Sequence, residues 1–536
     1  MRRLLVLLLA GVTAAACASR TSTTPAPAPA SARKPLVVIL IVDQMRSGYL
    51  ETLGPRFTKG FRRILDEGAW FKNAAYPYLN TITCAGHSTI GTGALPYRHG
   101  MVLNAWWDRA TAKSIPCTSD ASVRTIGYMG TPSGTGDSSH LLLAPTLADQ
   151  LRAATGGHTV AMSLKPRSAI TLAGRKADAA LWFDERSGWA TSSAFTDAPI
   201  PWVQDFITAN PISADQGKVW DRLLPLSAYQ GADDVAAERT PSGWTRVFPH
   251  VIGEPAAQFL IQWQRSPFAD AYLGRMAAVA IDTLNLGRGT GTDFLSVSFS
   301  SLDLVGHQYG PISHETQDLL FRLDQTIGTL LDHLDARLGR EGYVLALSAD
   351  HGVANLPEQT GGARQPSAEI VATIDAALTP FFGPGKYVAQ TAYTDIYLAP
   401  GILDRLRTSP EARAAVITSL EGMKGIARAF LADDVKDPAV RSSADPVKRA
   451  AALSYYPPRS GDILVVPEQN WLLSTAATTH GTLYPYDQRV PVIFFGAGVA
   501  KGIHDGPASP ADIAPTLGAL VGARLEPTDG TALIRR

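Results

Sequence analysis

Hydrophobic residues along this chain gather into short unbroken runs of the kind that form buried strands. The first run, Leu36–Val42, holds seven apolar residues, most of them β-branched, which is typical of a strand covered on both faces of a parallel sheet. Five later runs share this pattern and are predicted as strands: Thr159–Leu164, Phe294–Ser298, Tyr343–Leu347, Ile463–Val466 and Val492–Phe495.

Segments with apolar residues at helical spacing alternate with these runs. Gly68 is placed to end the first of them, and Ser509 is placed to cap the start of the last. The predicted helices are Phe57–Glu67, Pro145–Ala154, Ala269–Leu286, Glu315–Leu338 and Pro510–Val521. Strands that alternate with helices predict an α/β fold: a doubly wound, mostly parallel sheet with helices on both faces.

The length of 536 residues favours one large α/β domain with insertions, or several domains, over a single simple core. We predict a catalytic domain over residues 36–536. Eight of the ten tryptophans fall between Trp106 and Trp263, in stretches broken by Pro and Gly. We therefore expect cap insertions over about 106–139 and 169–267, which would cover the edge of the sheet, and a further excursion over 352–457.

Charge narrows the choice of partners. Lys and Arg together number 48, as do Asp and Glu, and no long block of like charge occurs. This balance disfavours nucleic acid as a specific partner.

The N-terminus predicts export. Arg2 and Arg3 precede an apolar stretch, so we expect a signal peptide over residues 1–16 and a periplasmic location. Ala14–Cys17 has the small residues and cysteine of a lipobox but lacks leucine three positions before the cysteine. Lipidation of Cys17, giving an outer-membrane lipoprotein, is favoured over simple cleavage, and the Pro/Ala-rich residues 17–35 would be a tether.

The other two cysteines, Cys84 and Cys117, allow two interpretations. They could form a disulfide in an oxidising compartment, or Cys84 could be a small buried residue. The second interpretation is favoured. No Cys-rich zinc pattern occurs, which disfavours structural zinc.

Metal-binding residue types follow the predicted strands. Asp43 ends the first strand, and two Asp/His pairs follow later strands: Asp303 with His307, and Asp350 with His351. Because the carboxyl ends of parallel strands meet at one edge of a sheet, we expect these residues to lie together. Three carboxylates and three imidazoles, with His480 as the third, suit zinc.

Taken singly, each of these residues has an ordinary explanation. Asp303 could cap a helix, and an isolated Asp-His pair or His480 would carry little weight. Their joint occurrence at successive strand ends favours a metal site. His87 lies one helical turn beyond Thr83 and could brace such a site without binding metal.

Thr83 is a candidate nucleophile. It lies in a polar turn before small residues that could begin a helix, where the helix dipole favours an alkoxide and an incoming phosphate. A bound metal would activate its hydroxyl. The alternative is that Thr83 only caps the helix.

Read together, these motifs resemble the alkaline phosphatase superfamily, with a type I phosphodiesterase/nucleotide pyrophosphatase-like core. The motifs are Val-Asp-Gln at 42–44, Thr-x-Thr-Cys-x-Gly-His-Ser-Thr at 81–89, Asn104, Lys-x-Arg at 165–167, Asp-x-x-Gly-His at 303–307, Asp-His-Gly at 350–352 and Thr-His-Gly at 479–481. More narrowly, the chain is similar to bacterial periplasmic alkaline phosphatases that use a threonine nucleophile and a lysine in place of a third-site magnesium.

The resemblance implies two zinc ions per chain. One would be held by Asp43, Asp350, His351 and the Thr83 oxygen. The other would be held by Asp303, His307 and His480. A bare Lys-x-Arg would otherwise be an ordinary solvated pair, but the resemblance gives Lys165 and Arg167, together with the Asn104 amide, the role of a phosphate clamp.

The implied activity is hydrolysis of small-molecule phosphate monoesters through a phosphothreonine at Thr83, because three donors suit three non-bridging oxygens. A nucleotide pyrophosphatase or phosphodiesterase on the same core is the alternative and would normally lack the clamp. A sulfatase is disfavoured because its Cys-x-Pro-Ser-Arg signature is absent. A zinc-binding surface lipoprotein would need neither nucleophile nor clamp.

Overall fold

The computed structural model describes Met1 and residues 34–129, 135–185 and 187–535. The predicted signal peptide, Cys17 and nearly all of the predicted tether lie outside the described residues. Lys34–Arg536 form one compact unit. The described helices include none that is both long enough and apolar enough to span a membrane.

The strands are short and are spread over most of the chain. In chain order they are β1 (Leu36–Val42), β2 (Ala69–Ala74), β3 (Ala105–Asp108), β4 (Lys113–Pro116), β5 (Ser119–Gly127), β6 (Thr135–Asp137), β7 (Thr159–Ser163), β8 (Ala179–Asp184), β9 (Gly188–Ser192), β10 (Val219–Trp220), β11 (His250–Val251), β12 (Phe294–Phe299), β13 (Tyr343–Ser348), β14 (Val388–Ala392), β15 (Asp395–Leu398), β16 (Ile426–Leu431), β17 (Ile463–Pro467), β18 (Val492–Gly496) and β19 (Gly502–Ala508).

The α-helices range from one turn to seven turns. In chain order they are α1 (Ser47–Leu53), α2 (Gly60–Glu67), α3 (Thr83–Thr92), α4 (Pro96–His99), α5 (Leu147–Thr155), α6 (Pro166–Ala173), α7 (Pro201–Ala209), α8 (Phe259–Gln264), α9 (Pro267–Thr283), α10 (Ser301–Tyr309), α11 (His314–Leu338), α12 (Pro357–Thr360), α13 (Ser367–Phe382), α14 (Ile402–Thr408), α15 (Pro410–Glu421), α16 (Ala432–Val435), α17 (Pro446–Ser454), α18 (Pro485–Gln488) and α19 (Ile513–Leu520).

Eleven strands form the central sheet, in the order β19-β2-β18-β13-β1-β12-β7-β8-β9-β5-β6. The middle of the sheet is parallel: β1 pairs with β12 and β13, and β12 pairs with β7. Strand β18 is antiparallel to β13, and β9 is antiparallel to β8. The predicted α/β fold with a mostly parallel sheet is therefore confirmed.

Strand β1 shows why its sequence is an unbroken apolar run. Val38 and Leu40 pack into the core on one face of the sheet, and Ile39 and Ile41 pack into the core on the other. All four side chains are fully buried. A strand covered on both faces has no polar alternation to show, so the run predicted by the sequence is the one observed.

All six predicted strands form, with ends within one residue of the prediction. The predicted helices also form. Ser509 caps the last of them as predicted, although that segment begins with a short 3₁₀ turn, Pro510–Asp512, before α19.

One predicted strand lies in a different sheet. Strand β17 belongs to a four-stranded sheet of order β14-β15-β17-β16. The other three strands of this sheet come from the 352–457 stretch. Its own apolar core contains Ile374, Leu420 and Val465. We call the sheet and the helices packed on it, residues 367–467, the auxiliary layer.

The other two expected insertions contain strands of the central sheet. Strands β5 and β6 fall in 106–139, and β8 and β9 fall in 169–267; together they form one end of the eleven-stranded sheet. Only the rest of 169–267 forms separate structure, including the small β10–β11 pair.

Cys84 and Cys117 form a disulfide, so the favoured interpretation of Cys84 as a small buried thiol was wrong. The chain leaves α3, passes through the β3–β4 hairpin and returns beside the start of α3. The Cys117 amide donates to the Asn104 carbonyl there. Sequence spacing alone does not show that return.

Candidate active site

Four neighbouring strands carry polar residues to one edge of the central sheet. Asp43 directly follows β1. Asp350 and His351 come two and three residues after β13, Asp303 lies in the first turn of α10 just after β12, and Lys165 follows β7. The strand order β13-β1-β12-β7 places these ends side by side, as the strand-end argument predicted.

One group of atoms converges around His351 Nε2. It lies 3.2 Å from Asp350 Oδ2, 3.6 Å from Asp43 Oδ1 and 3.3 Å from Thr83 Oγ1. The two aspartates and the histidine are fully buried. Asp43 Oδ1 and Asp350 Oδ2 have no hydrogen-bond donor. Because such oxygens are costly to bury, this arrangement is suited to bind a cation.

A second group converges on Asp303. Its Oδ1 lies 3.2 Å from His307 Nε2 and 3.7 Å from His480 Nε2. Asp303 and His307 face each other because they are one helical turn apart on α10. The His480 ring stacks on the His351 ring with centroids 3.5 Å apart, so the two groups are contiguous.

The three histidines have their ring orientation fixed in the same way. A backbone carbonyl can only accept a hydrogen bond, so an Nδ1 facing one carries a proton, and in the neutral ring Nε2 is then the nitrogen that can donate an electron pair. At His307 burial lowers the pKa, but the Asp303 carboxylate outweighs burial and raises that pKa. This pattern is typical of metal-binding histidine. The contacts are His307 Nδ1 to Thr478 O at 3.0 Å, His351 Nδ1 to Gly352 O at 2.9 Å and His480 Nδ1 to Thr81 O at 2.9 Å.

Lys165 bridges the two groups. Its Nζ donates to Asp43 Oδ2 at 2.7 Å and to Asp303 Oδ2 at 2.5 Å, and the side chain is buried. Burial alone would lower the pKa of Lys165, but the two carboxylates outweigh it and raise that pKa. The lysine therefore stays charged, and its third N–H remains for another acceptor.

The pKa values of Asp43 and Asp303 shift in opposite directions. Burial, reinforced by the nearby Asp350 carboxylate, raises the pKa of Asp43. Lys165 and His307 instead overcome the effect of burial at Asp303 and hold its pKa well below the usual range. Burial lowers the pKa of His351 and His480, which favours the neutral imidazole that a metal requires.

Arg167 lies two residues after Lys165, in the first turn of α6. Its Nε is buried without a hydrogen-bond partner. Within the described ranges, no carboxylate forms an ion pair with its guanidinium. A half-buried guanidinium without a carboxylate is suited to bind an anion.

Asn104 has its amide fixed. Its Oδ1 accepts from the Cys84 amide at 2.8 Å, so its Nδ2 points the other way and donates to Tyr393 Oη at 3.1 Å. One N–H of the amide remains for a ligand.

Thr83 is the first residue of α3, where backbone N–H groups and the helix dipole favour negative charge. The helix packs closely on the Asp350 backbone. A Cβ at Gly86 would lie 2.0 Å from the Asp350 carbonyl oxygen, so only glycine allows this approach. The close packing fixes the distance between Thr83 and the residues that follow β13.

His87 contacts the site at its edge. Its Nδ1 lies 3.0 Å from Thr83 O and 3.1 Å from Asp350 Oδ2, and its Nε2 lies 2.8 Å from Ser298 Oγ. Both ring nitrogens therefore have protein partners. This agrees with the expectation that His87 braces the site.

Sequence reasoning missed Gln44. Its backbone amide donates to Asp350 Oδ1 at 3.1 Å and its side-chain amide donates to Asp303 Oδ1 at 2.8 Å. Its φ of 71° is unusual for a residue other than glycine. Only its place directly after Asp43 could have indicated such a role.

Two compact groups of ligand atoms stand out among the described residues: Asp303 with His351 and His480, and Asp43 with His87 and Asp350. These groups differ from the two zinc ligand sets that the family resemblance implies, because the His351 ring lies between the two groups. The ring contacts of His87 argue against it as a ligand, whereas His351 Nε2 is directed at both Asp350 and Asp43.

Comparisons with known proteins show the family to which the chain belongs. A family model described as type I phosphodiesterase / nucleotide pyrophosphatase matches residues 37–488. Alkaline phosphatase PafA of Elizabethkingia meningoseptica is 32% identical over 511 residues, covering 91% of this chain and 92% of its own. Alkaline phosphatase PhoV of Synechococcus elongatus is 31% identical over 503 residues, covering 91% and 90%.

The crystal structure of wild-type PafA matches with a TM-score of 0.85 at 31% identity, covering 94% of this chain and 99% of that one. A crystal structure of a PafA variant matches with a TM-score of 0.86. In that variant a threonine and an asparagine 21 positions apart, and a lysine and an arginine two positions apart, are substituted.

Proposed function

The chain belongs to the type I phosphodiesterase / nucleotide pyrophosphatase family, and we propose that within it the protein is an alkaline phosphatase: a zinc-dependent hydrolase of phosphate monoesters. The observation that most directly supports this proposal is the geometry of the site as a whole. Three histidines present Nε2 to three aspartates beside a threonine at a helix N-terminus, and a buried lysine links the two halves.

The residues fit two zinc ions. Carboxylate oxygens and neutral imidazole nitrogens are zinc ligands, and Asp43 Oδ1 and Asp350 Oδ2 are buried without donors. Asp43, Asp350, His351 and the Thr83 oxygen would hold one ion. Asp303, His307 and His480 would hold the other. When bound, zinc favours ionisation of the hydroxyl and stabilises negative charge on the leaving oxygen.

After its hydroxyl loses its proton to solvent, Thr83 Oγ1 attacks the phosphorus in line while the P–O bond to the alcohol breaks. The alcohol oxygen leaves on the side of Asp303, His307 and His480 and takes a proton from water, and Thr83 keeps the phosphoryl group. Its position in the first turn of α3 supports this role, since the helix N-terminus stabilises both the attacking oxygen and the phosphate. Water then hydrolyses the phosphothreonine and releases inorganic phosphate. Two inversions give net retention at phosphorus.

The substrate class follows from three donors. The third N–H of Lys165, the guanidinium of Arg167 and the free amide N–H of Asn104 together match the three non-bridging oxygens of a monoester. The spacings from Thr83 to Asn104 and from Lys165 to Arg167 equal those of the four residues substituted in the PafA variant, which supports the assignment.

A phosphodiesterase or nucleotide pyrophosphatase is the second candidate, because the family model carries that description. A diester has one non-bridging oxygen blocked, so it would not use all three donors. A zinc-binding surface protein without activity would leave Thr83, Arg167 and Asn104 without a purpose.

The test compares kcat/KM of the zinc-loaded protein on p-nitrophenyl phosphate and methyl p-nitrophenyl phosphate, which share a leaving group. We expect kcat/KM for the monoester to exceed that for the diester by roughly 100-fold or more, because one well-placed hydrogen-bond donor to the transition state contributes about that factor. A preference for the diester would overturn the monoesterase proposal and support the second candidate.

We also propose export to the periplasm, with Cys17 as a lipid anchor. The Arg2–Arg3 start and the following apolar stretch support it. Expression of the wild type and Cys17→Ala in a Gram-negative host, followed by membrane fractionation, tests the anchor. Membrane association that depends on Cys17 is expected; periplasmic release of both forms would contradict lipidation.

A further inference from the structure

A cavity of about 300 Å³ adjoins the proposed metal site on the side of His480. Its walls come from the auxiliary layer and from the loop that carries His480. They include Tyr393, Pro467, Leu472, Leu473, Thr479 and His480, and none of the described residues that line the cavity is Asp, Glu, Lys or Arg. A cavity with apolar and hydroxyl-bearing walls suits an uncharged organic group rather than an ion.

Tyr393 occupies the turn between β14 and β15 with a φ of 52°, a conformation that non-glycine residues seldom adopt. Its side chain is 41% exposed although it is large and apolar. The ring lies against the residue after His480: a Cβ at Gly481 would be 3.7 Å from Tyr393 Cδ1. An aromatic ring is therefore held open to solvent at the mouth of the site.

The turn is anchored to the segment that leads into Thr83. Thr394 Oγ1 donates to Asn80 Oδ1 at 2.5 Å, and Asn80 Nδ2 donates to Asp395 Oδ2 at 3.1 Å. Asp395 also accepts from the Gly461 amide at 2.7 Å. All three side chains are buried, so Tyr393 and Thr83 keep a fixed relation.

We propose that this cavity binds the leaving group of the ester, and that Tyr393 selects leaving groups with a planar ring. The inference rests on the proposed function, and it places the leaving oxygen beside the ion that Asp303, His307 and His480 would hold. A group attached to that oxygen extends past His480 into the cavity. There the Tyr393 ring offers a stacking surface, and Leu472 and Leu473 add apolar walls.

The Tyr393 hydroxyl has a role that is separate from that of the ring. Its hydroxyl accepts from Asn104 Nδ2 and so orients the amide assigned to the phosphate. Loss of the hydroxyl should affect every monoester alike, because all share the phosphate. Loss of the ring should affect only esters whose leaving group reaches it.

Benzyl phosphate and propyl phosphate distinguish the role of the ring from that of the hydroxyl. Both are esters of primary alcohols with similar intrinsic reactivity, so a difference between them reports on the leaving group's contacts. For the wild type we expect kcat/KM to favour benzyl phosphate by about tenfold, the worth of one good aromatic contact. Tyr393→Phe should lower both values by the same factor and keep their ratio. Tyr393→Asn, which tolerates the positive φ, should bring the ratio close to one.

Phe381→Ala is the matched control, because Phe381 is 42% exposed at the end of α13 and does not line the cavity. It should leave the ratio unchanged. An equal ratio in the wild type and in Tyr393→Asn would overturn the inference. Thermal melting of each variant shows whether it is folded.

Failure of the proposed function is recognisable separately. If neither monoester is hydrolysed, inhibition of the diester reaction by benzylphosphonate and propylphosphonate gives the same comparison without turnover. Tighter inhibition by benzylphosphonate that is lost in Tyr393→Asn would support the cavity even then. Equal inhibition constants would overturn it.

Discussion

Within the part of the chain that the structure describes, two buried clusters combine carboxylates with histidine, and one of them resembles a metal site. The first is the site at the end of the central sheet. The second, which we call the acid cluster, comprises Glu238, His250 and Glu315, all at most 7% exposed. Both clusters hold carboxylate oxygens without a hydrogen-bond partner, so composition and burial do not distinguish them.

The orientation of the histidine rings and the convergence of the ligand atoms distinguish the two clusters. In the first cluster every histidine donates Nδ1–H to a carbonyl and presents Nε2 to the carboxylates. In the acid cluster His250 Nδ1 has no partner, and Nε2 lies 2.9 Å from Glu315 Oε1. Among the described residues, two groups of three ligand atoms lie close enough to share one metal ion, and the acid cluster is not one of them.

The two clusters also differ in how they reduce the free-energy cost of burying carboxylate groups. Lys165 supplies an ammonium to Asp43 and Asp303. In the acid cluster, burial, reinforced by neighbouring carboxylates, raises the pKa of Glu238 to about 9, and burial raises that of Glu315 to about 8. These groups remain protonated near neutral pH. Lys165 therefore keeps the Asp303 carboxylate charged, whereas the glutamates of the acid cluster are buried in the neutral form.

Removal of the nucleophile should give the largest effect. Thr83→Ala should lower kcat on p-nitrophenyl phosphate by at least roughly 10⁴-fold, because no oxygen remains to take the phosphoryl group. Zinc content, measured by atomic emission, should stay close to the wild-type value. Thr83→Ser is the control and should retain a large part of the activity; wild-type turnover by Thr83→Ala would refute the nucleophile assignment.

Loss of the bridging ammonium comes next. Lys165→Ala should lower monoester kcat/KM by roughly 10²- to 10³-fold and diester kcat/KM much less, because only a monoester offers the additional oxygen. Lys218→Ala is the matched control, since Lys218 pairs with Asp215 outside the site and is about half exposed. Equal losses on both esters in Lys165→Ala would contradict the clamp.

Histidine substitutions compare the clusters directly. His480→Ala should reduce bound zinc from two to about one per chain, because one site loses a ligand. His250→Ala should keep both ions, because His250 belongs to no convergent group. Zinc content after dialysis against a weak chelator is the measurement, and similar zinc loss in both variants would erase the distinction between the clusters.

The sequence predicted the residues that directly follow buried strands and was weaker elsewhere. Asp43 and Asp350 end apolar runs, and parallel strands bring such ends together. Lys165 required the family resemblance, because nothing local distinguishes it from a solvated lysine. Tyr393 was not predictable: it lies 289 positions from Asn104, and its contact depends on how the auxiliary layer packs on the central sheet.

The smallest effect is expected in the acid cluster. The pKa of Glu238 rises from about 4.5 in the unfolded chain to about 9 in the folded protein, chiefly through burial and secondarily through Glu315. Below about pH 4.5 both states hold the proton. As pH rises towards 9 the unfolded chain releases it while the folded protein keeps it, so this group progressively destabilises the fold.

Glu238→Gln removes that proton release. The difference in melting temperature between variant and wild type should therefore be small at pH 5 and larger, in favour of the variant, at pH 8, by roughly one to three degrees in a chain of this size. Exposed Glu411→Gln is the control and should shift the melting temperature alike at both pH values. An equal difference in melting temperature at pH 5 and at pH 8 would mean that Glu238 is ionised in the fold at both pH values. The acid cluster would then keep its charge as Asp303 does in the metal site, and protonation would no longer distinguish the two clusters.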